Sequence, residues 1–231
     1  MLRRLNATVV DRVWAVIVAR AGIGAKTRLA GALSASQRRA LAVAMLGDVL
    51  DVCTRARAVL AGTLAVVDAE ARSVALRCGA LVLEDPGTGD MNAAVAAGVA
   101  GARQRGARTV VVLPGDVPLI SASDIQALVS AAGAASRAVI VAASRAGDGT
   151  NALLLRPPDV IAPAFGPPSV GRHLQAGLAA GALTRVHTDL GVAHDIDTPA
   201  DLVGLAEAPV GPETAAALAV LRPEPAFLIG F

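Results

Sequence analysis

Short runs of Val, Ile and Leu alternate along this chain with longer Ala-rich stretches, and that alternation limits the fold more than any other feature. The strand-like runs are Val13–Ala19, Thr63–Val67, Leu81–Leu83, Thr109–Leu113, Ala138–Ala143, Ala152–Leu155 and Leu183–His187. Helical stretches lie between them near Ser36–Arg55, Ala69–Arg77, Met91–Gln104, Ser121–Ala132 and Ser169–Ala180, with a short one from Pro199. Strands that are apolar throughout are buried on both faces. The pattern predicts an α/β protein, a three-layer α/β/α sandwich around a mostly parallel sheet. Ser34-Ala-Ser-Gln37 reads as one helix start, and Thr198-Pro199 places proline where a first helical turn tolerates it. With 231 residues, one domain over 1–208 and a peripheral helix and tail over 209–231 are expected.

In such sheets ligands sit at the carboxyl ends of the strands. The polar clusters fall there. The loop after the first strand carries Arg20, Gly22, Gly24, Lys26 and Arg28. The third strand leads into Glu84-Asp-Pro-Gly-Thr-Gly-Asp-Met-Asn92, and the fourth into Pro114-Gly-Asp-Val-Pro-Leu119. Ser144 to Asn151 joins the fifth and sixth.

Lys26 is the only lysine; the other twenty cationic side chains are arginine. An ammonium is a compact point charge and a guanidinium a broad fork, so a site between crowded phosphate oxygens can refuse the exchange. Gly-containing turns add backbone N–H groups that bind anions. The loop is not a P-loop, because Arg20 and Ala25 stand where that motif needs glycine.

Asp116, between two prolines at the end of an apolar strand, reads either as a metal ligand or as a turn residue capping the segment from Ile120. In His194-Asp-Ile-Asp-Thr-Pro199 the two carboxylates are two residues apart. An extended backbone points Asp195 and Asp197 the same way and turns Ile196 into the core. Such a pair suits Mg²⁺, which takes a few carboxylates and phosphate oxygens. The competing reading is that Asp197 or Thr198 caps the helix from Pro199. Gly149-Thr-Asn151 and Phe165-Gly-Pro-Pro-Ser169 each place a hydroxyl beside a glycine, an arrangement that holds a small anion. The second also sits at a helix N-terminus. The three histidines have no metal-ligand spacing.

Composition narrows the partners. A net charge of +2 and an aromatic content of 2%, with no Tyr, argue against nucleic acid, which needs a strong basic field or stacking platforms. No apolar run is long enough for a membrane span. Two isolated cysteines, Cys53 and Cys78, imply no disulfide framework, and a cytoplasmic location is expected. Met1-Leu-Arg-Arg-Leu5 only faintly imitates a signal peptide.

Taken together, the motifs resemble the phospholactate/phosphoenolpyruvate guanylyltransferase family of coenzyme F-420 biosynthesis, within the nucleotidyltransferase superfamily of Rossmann-like fold. The matching stretches are Ala25-Lys-Thr-Arg-Leu29, Arg38 to Asp48, Gly89-Asp-Met-Asn-Ala-Ala94 and Gly115-Asp-Val-Pro-Leu119. Asp148-Gly-Thr-Asn151, Phe165-Gly-Pro-Pro-Ser169 with His173, and Asp195-Ile-Asp-Thr-Pro-Ala-Asp-Leu202 follow in family order. The resemblance implies GMP transfer from GTP to a small phosphorylated three-carbon acid, and hand-off of a labile product to a downstream transferase. It implies Mg²⁺ on Asp116, Asp195 and Asp197. Lys26 and Arg28 then act on the triphosphate; the nucleotide lies over Gly22 and Gly24, with base and ribose near Glu84, Gly89 and Asn92. The acceptor pocket maps onto Thr150, Gly166 and Ser169, with Arg20 standing where relatives carry a lysine. A nucleotidyltransferase for sugar phosphates or a molybdenum cofactor, and a non-catalytic nucleotide-binding module, are the alternatives.

Overall fold

The computed structural model describes residues 12–22, 24–188, 191–205 and 207–221. The stretch Met1–Leu5 and the tail from 222 lie outside these residues. Seven strands form one sheet in the order β3-β2-β1-β4-β6-β5-β7. They are β1 (Val13–Ala19), β2 (Gly62–Val67), β3 (Leu81–Glu84), β4 (Thr109–Pro114), β5 (Ala138–Ala143), β6 (Thr150–Arg156) and β7 (Leu183–His187). Each arises on one of the apolar runs. All neighbours pair parallel except β6, which is antiparallel to β4 and β5.

The period-2 geometry of β1 divides the core. Val13, Ala15 and Ile17 face one layer, with Leu46, Val49 and Leu50 of α1 (Ala35–Arg55), Val74 of α2 (Ala69–Arg77), and Ile125 and Leu128 of α4 (Ala122–Ala131). Trp14, Val16 and Val18 face the other, with Val95 and Val99 of α3 (Met91–Gln104) and Leu174 of α5 (Ser169–Ala179). With almost no aromatic volume, the layers close by approach of backbones. A Cβ on Gly98 of α3 would collide with Val16 Cγ1, so glycine there lets the helix lie against β1.

Local signals set the helix ends. Ser34 and Gln37 form a reciprocal capping box at α1, and Ser121 and Asp124 another at α4. The short α6 begins at Pro199. The segment after Pro209 forms α7 (Pro212–Val220), which packs on α1. The buried Asp48 of α1 accepts hydrogen bonds from the Glu213 and Thr214 N–H groups, 3.1 and 2.8 Å, satisfying the first turn of α7. A third apolar cluster joins this region to the site: Leu29, Leu41, Met45, Ile196 and Leu205, with Leu218 packed against them. No helix among the described residues is long and apolar enough to cross a membrane.

Candidate active site

The chain leaves β1 for β2 and β3 on one side, then returns to β4 on the other. This reversal opens a crevice beyond the carboxyl ends of β1 and β4. Lys26 enters it from the loop after β1. It is the one non-glycine among the described residues with positive φ, at 53°. A left-handed backbone costs a lysine on the order of 1 kcal/mol. The conformation buries the side chain to 9% exposure, where Nζ contacts Asp116 Oδ2 and lies 2.9 Å from Asp197 Oδ1. Burial opposes the ammonium, but the charges and hydrogen bonds of Asp116 and Asp197 outweigh it and raise the Lys26 pKa. Arg28, mostly exposed, reaches the other Asp197 oxygen at 3.2 Å.

Asp116 follows β4 through Gly115. A Cβ on Gly115 would lie 2.6 Å from Ala19 Cβ, so glycine is needed for the two strand ends to converge. Asp116 does not cap the following helix, which has its own box at Ser121. Its Oδ1 is buried without a hydrogen-bond partner. The Ile196 N–H donates to the Asp116 carbonyl at 3.3 Å, which docks the Asp195–Asp197 segment beside β4 while the Ile196 side chain enters the core. Asn151 holds Asp195: its Nδ2 donates to Asp195 Oδ1 and to the Val192 carbonyl, both at 2.9 Å. Burial first, and then the neighbouring charges of Asp116 and Asp197, raise the Asp195 pKa against the Asn151 hydrogen bond.

The capping question at Pro199 has a third answer. Asp201 accepts from the N–H groups of Asp197 and Thr198 and from the Thr198 hydroxyl, at 3.2, 2.7 and 2.8 Å. Although burial opposes its charge, these bonds and Arg145 hold its pKa low. Asp201 thus reaches back from the first turn to the backbone before the helix, half of a capping box, and the Asp197 carboxylate faces Lys26 and Arg28. Arg145 donates to Asp201 at 2.8 Å and ties the β5–β6 loop to this segment.

A cleft of about 660 Å³ opens beside the carboxylates, lined by Asp116, Asp195 and Asp197 and, across it, by Thr150, Gly166 and Ser169. Ser169 is fully buried, and its hydroxyl donates to Thr150 Oγ1 at 2.9 Å. Its polar hydrogen is therefore used internally, a correction to the expectation that both hydroxyls face the acceptor. Arg172 donates to the carbonyls of Ala164, Phe165 and Gly166 and shapes the turn in which Gly166 sits at φ 92°. The sequence reading missed Arg172, Asn151 and Asp201. Only Asn151 carried a signal, as the polar residue beside Thr150 on a strand whose alternation sends the two side chains to opposite faces.

Three residues expected at the substrates have partners within the protein. Arg20, expected at the acceptor, donates through Nε and Nη2 to Asp85 at 2.8 and 3.3 Å and through Nη1 to the Gly89 carbonyl at 2.8 Å. Its fork braces the β3–α3 loop, beside a smaller hollow that it lines with Lys26. Despite burial, these bonds hold the Asp85 pKa low. The N–H of Gly22, expected at phosphate, donates with that of Ala21 to Asp68 Oδ2, both at 2.9 Å. Asn92, expected at the nucleotide, exchanges two hydrogen bonds with the Phe165 backbone and joins α3 to the acceptor-side turn. Gly24 and Glu84, expected at the nucleotide, are exposed, and Gly89 turns at φ 76°.

His173 lies behind this wall, fully buried. Burial, with the Arg172 charge second, pushes its pKa down to about 4 from an ordinary 6.5. The native imidazole stays neutral where the unfolded one takes a proton, so between these values the unfolded state binds more protons and stability falls as pH falls. The melting temperature of the wild type is expected to drop from about pH 6.5 toward pH 4. His173→Asn should flatten that part of the profile; an unchanged slope would show that His173 titrates normally.

Known proteins similar to this chain fall in one family. The family model described as guanylyl transferase CofC like matches residues 14–215. A phosphoenolpyruvate guanylyltransferase of Conexibacter woesei is 42% identical over 184 residues, covering 80% of this chain and 82% of that protein. A 3-phospho-D-glycerate guanylyltransferase of Phenylobacterium zucineum is 35% identical over 211 residues, covering 90% and 96%. Among solved structures, a 4-diphosphocytidyl-2C-methyl-D-erythritol synthase from Anaerococcus prevotii superposes with a TM-score of 0.58, covering 84% of this chain and 96% of that one at 12% identity. That likeness speaks for the fold alone.

Proposed function

The chain belongs to the guanylyl transferase CofC-like family and is a guanylyltransferase, and on that premise we propose that it joins GMP from GTP to phosphoenolpyruvate in coenzyme F-420 biosynthesis. A phosphate oxygen of the acceptor attacks the α-phosphorus of GTP, the bond to the β-phosphate oxygen breaks, and pyrophosphate leaves. The attacking oxygen is already anionic, so no general base is required. Catalysis is positioning and charge neutralisation. The observation that supports this reading is the pairing of two unlike walls on one cleft: Asp116, Asp195 and Asp197 with Arg28 on one side, backed by Lys26, and Thr150 with Gly166 on the other.

Lys26 and Arg28 bring positive charge to the triphosphate. The exposed turns near Gly24 and Glu84–Gly89 receive base and ribose. Asp116, Asp195 and Asp197 fit Mg²⁺: they are hard oxygen donors on two adjoining segments, and one of them holds a buried oxygen without a donor. Among the described residues no group of three or more His, Cys, Asp or Glu side chains is placed to hold a metal ion by itself, so phosphate oxygens would have to complete the shell. When bound, Mg²⁺ supplies neutralisation of phosphate charge. The protein's share is to hold the carboxylates, through Asn151 on Asp195 and through Asp201 on the Asp197 backbone.

The second reading is 3-phosphoglycerate as acceptor, favoured by the Phenylobacterium relative. Pyrophosphate release measured with phosphoenolpyruvate, 2-phospholactate and 3-phosphoglycerate, each against GTP and the other nucleotides, separates the two. The downstream transferase belongs in the assay, since the product is expected to be labile and handed on. A soluble cytoplasmic enzyme, with neither nucleic acid nor membrane as partner, completes the proposal. Thr150→Val should raise the acceptor KM roughly tenfold and leave the GTP KM unmoved, because one hydrogen bond to a charged group is worth about 1.5–3 kcal/mol. An effect on GTP alone would place the acceptor elsewhere.

A further inference from the structure

Behind the acceptor wall, three side chains form a chain whose hydrogen-bond polarity can be worked out atom by atom. The Ala164 N–H donates to His173 Nε2 at 2.9 Å. A backbone amide has only a donor, so Nε2 must be the bare, accepting nitrogen. A neutral imidazole then carries its proton on Nδ1. Nδ1 lies 3.1 Å from Thr150 Oγ1, and with the proton there it is the donor. Ser169 also donates to Thr150 Oγ1, at 2.9 Å. A hydroxyl offers two lone pairs and one hydrogen. Both lone pairs of Thr150 are thus filled from behind.

We propose that His173 is a positioning residue that locks Thr150 as a hydrogen-bond donor only, so that this wall of the cleft accepts an anionic oxygen and gives nothing to a donor group. Ser169 works through the same atom. The burial that keeps His173 neutral serves the lock, because an imidazolium would lose the bond from Ala164. The Phe165 ring meets the imidazole edge-on, with centroids 5.1 Å apart, and restrains its rotation. The polarity of the chain stands on the geometry alone; that its beneficiary is the phosphorylated acid rests on the function proposed above.

Two measurements separate these parts. In the His187→Gln/His194→Gln double variant, His173 is the only histidine, and ¹⁵N-histidine NMR of the full-length protein near neutral pH reads its tautomer directly. Nδ1 is expected as the protonated, pyrrole-like nitrogen and Nε2 as the pyridine-like one. The opposite tautomer, or an imidazolium, overturns the lock whatever the substrate is. The second measurement is a double-mutant cycle on KM with phosphoenolpyruvate and GTP. His173→Met removes the donor to Thr150, while its thioether sulfur can still accept weakly from the Ala164 N–H. It should raise the acceptor KM about five- to tenfold, leave the GTP KM unchanged, and add little in a Thr150→Val background. Full additivity, or equal effects on both substrates, would reduce His173 to a core residue. The expected tautomer without turnover on any phosphorylated acid would support the lock and overturn the proposed acceptor.

Discussion

Asp116→Asn is expected to lower turnover by about a hundredfold or more while the protein still folds, because the carboxylate proposed to hold the charge-neutralising Mg²⁺ is lost. Asparagine keeps the shape and removes the charge that balances Lys26 and faces the cleft. The fold should tolerate it for a specific reason. Asp116 adds to the raised pKa of Asp195, and its own buried Oδ1 has no hydrogen-bond donor. Removing that charge relieves repulsion while it weakens the hold on Lys26, so the two effects oppose. Turnover and melting temperature should be measured on the same preparation. Wild-type turnover, or a large fall in melting temperature with an unchanged rate per folded molecule, would make Asp116 a structural residue.

Lys26→Arg is expected to lose at least about tenfold in turnover although the charge is kept, since a misplaced charge-assisted contact costs about 1.5–3 kcal/mol. The geometry sharpens the argument made from the lone lysine. Nζ is placed between Asp116 and Asp197 in a pocket that leaves the side chain 9% exposed. A planar guanidinium needs more width and aims its donors in a fixed fork. Arginine also bears a Cβ, so the strain of the left-handed backbone is the same in both proteins. Any loss then reports the head group. Equal turnover in the arginine variant would make Lys26 a structural bridge between Asp116 and Asp197 that any cation can supply.

Much of this was legible in the sequence. Continuous Val and Ile runs gave the buried strands because a two-faced sheet leaves no other place for them. Lys26, Asp116, Asp195 and Asp197 come together because strand ends in such a sheet converge whatever the loops do. What local sequence does not show is which internal partner each loop residue takes. Arg20, Gly22 and Asn92 look like ligand-binding residues in isolation, yet their partners are Asp85, Asp68 and Phe165, 46 to 73 residues away. Nothing in local composition says that an internal carboxylate will take the N–H groups that a phosphate would also suit. Asp201 was missed for the opposite reason: it lies four residues beyond Asp197, but the search for a cap stopped at the residues before Pro199. Ser169 turns its hydroxyl to Thr150 and is fully buried, and burial of one hydroxyl cannot be read from a Gly-Pro-Pro-Ser stretch.

The central claim is transfer of a guanylyl group to a phosphorylated three-carbon acid, and isotope transfer tests it most directly. GTP labelled at the α-phosphorus is incubated with the full-length protein, Mg²⁺ and phosphoenolpyruvate, with the downstream transferase present. The label is predicted to move from GTP to the acceptor phosphate with release of one pyrophosphate per transfer, and to stay on GTP when acceptor or Mg²⁺ is left out. Label that stays on GTP with phosphoenolpyruvate, 2-phospholactate and 3-phosphoglycerate alike, yet moves to a sugar phosphate, would contradict the claim.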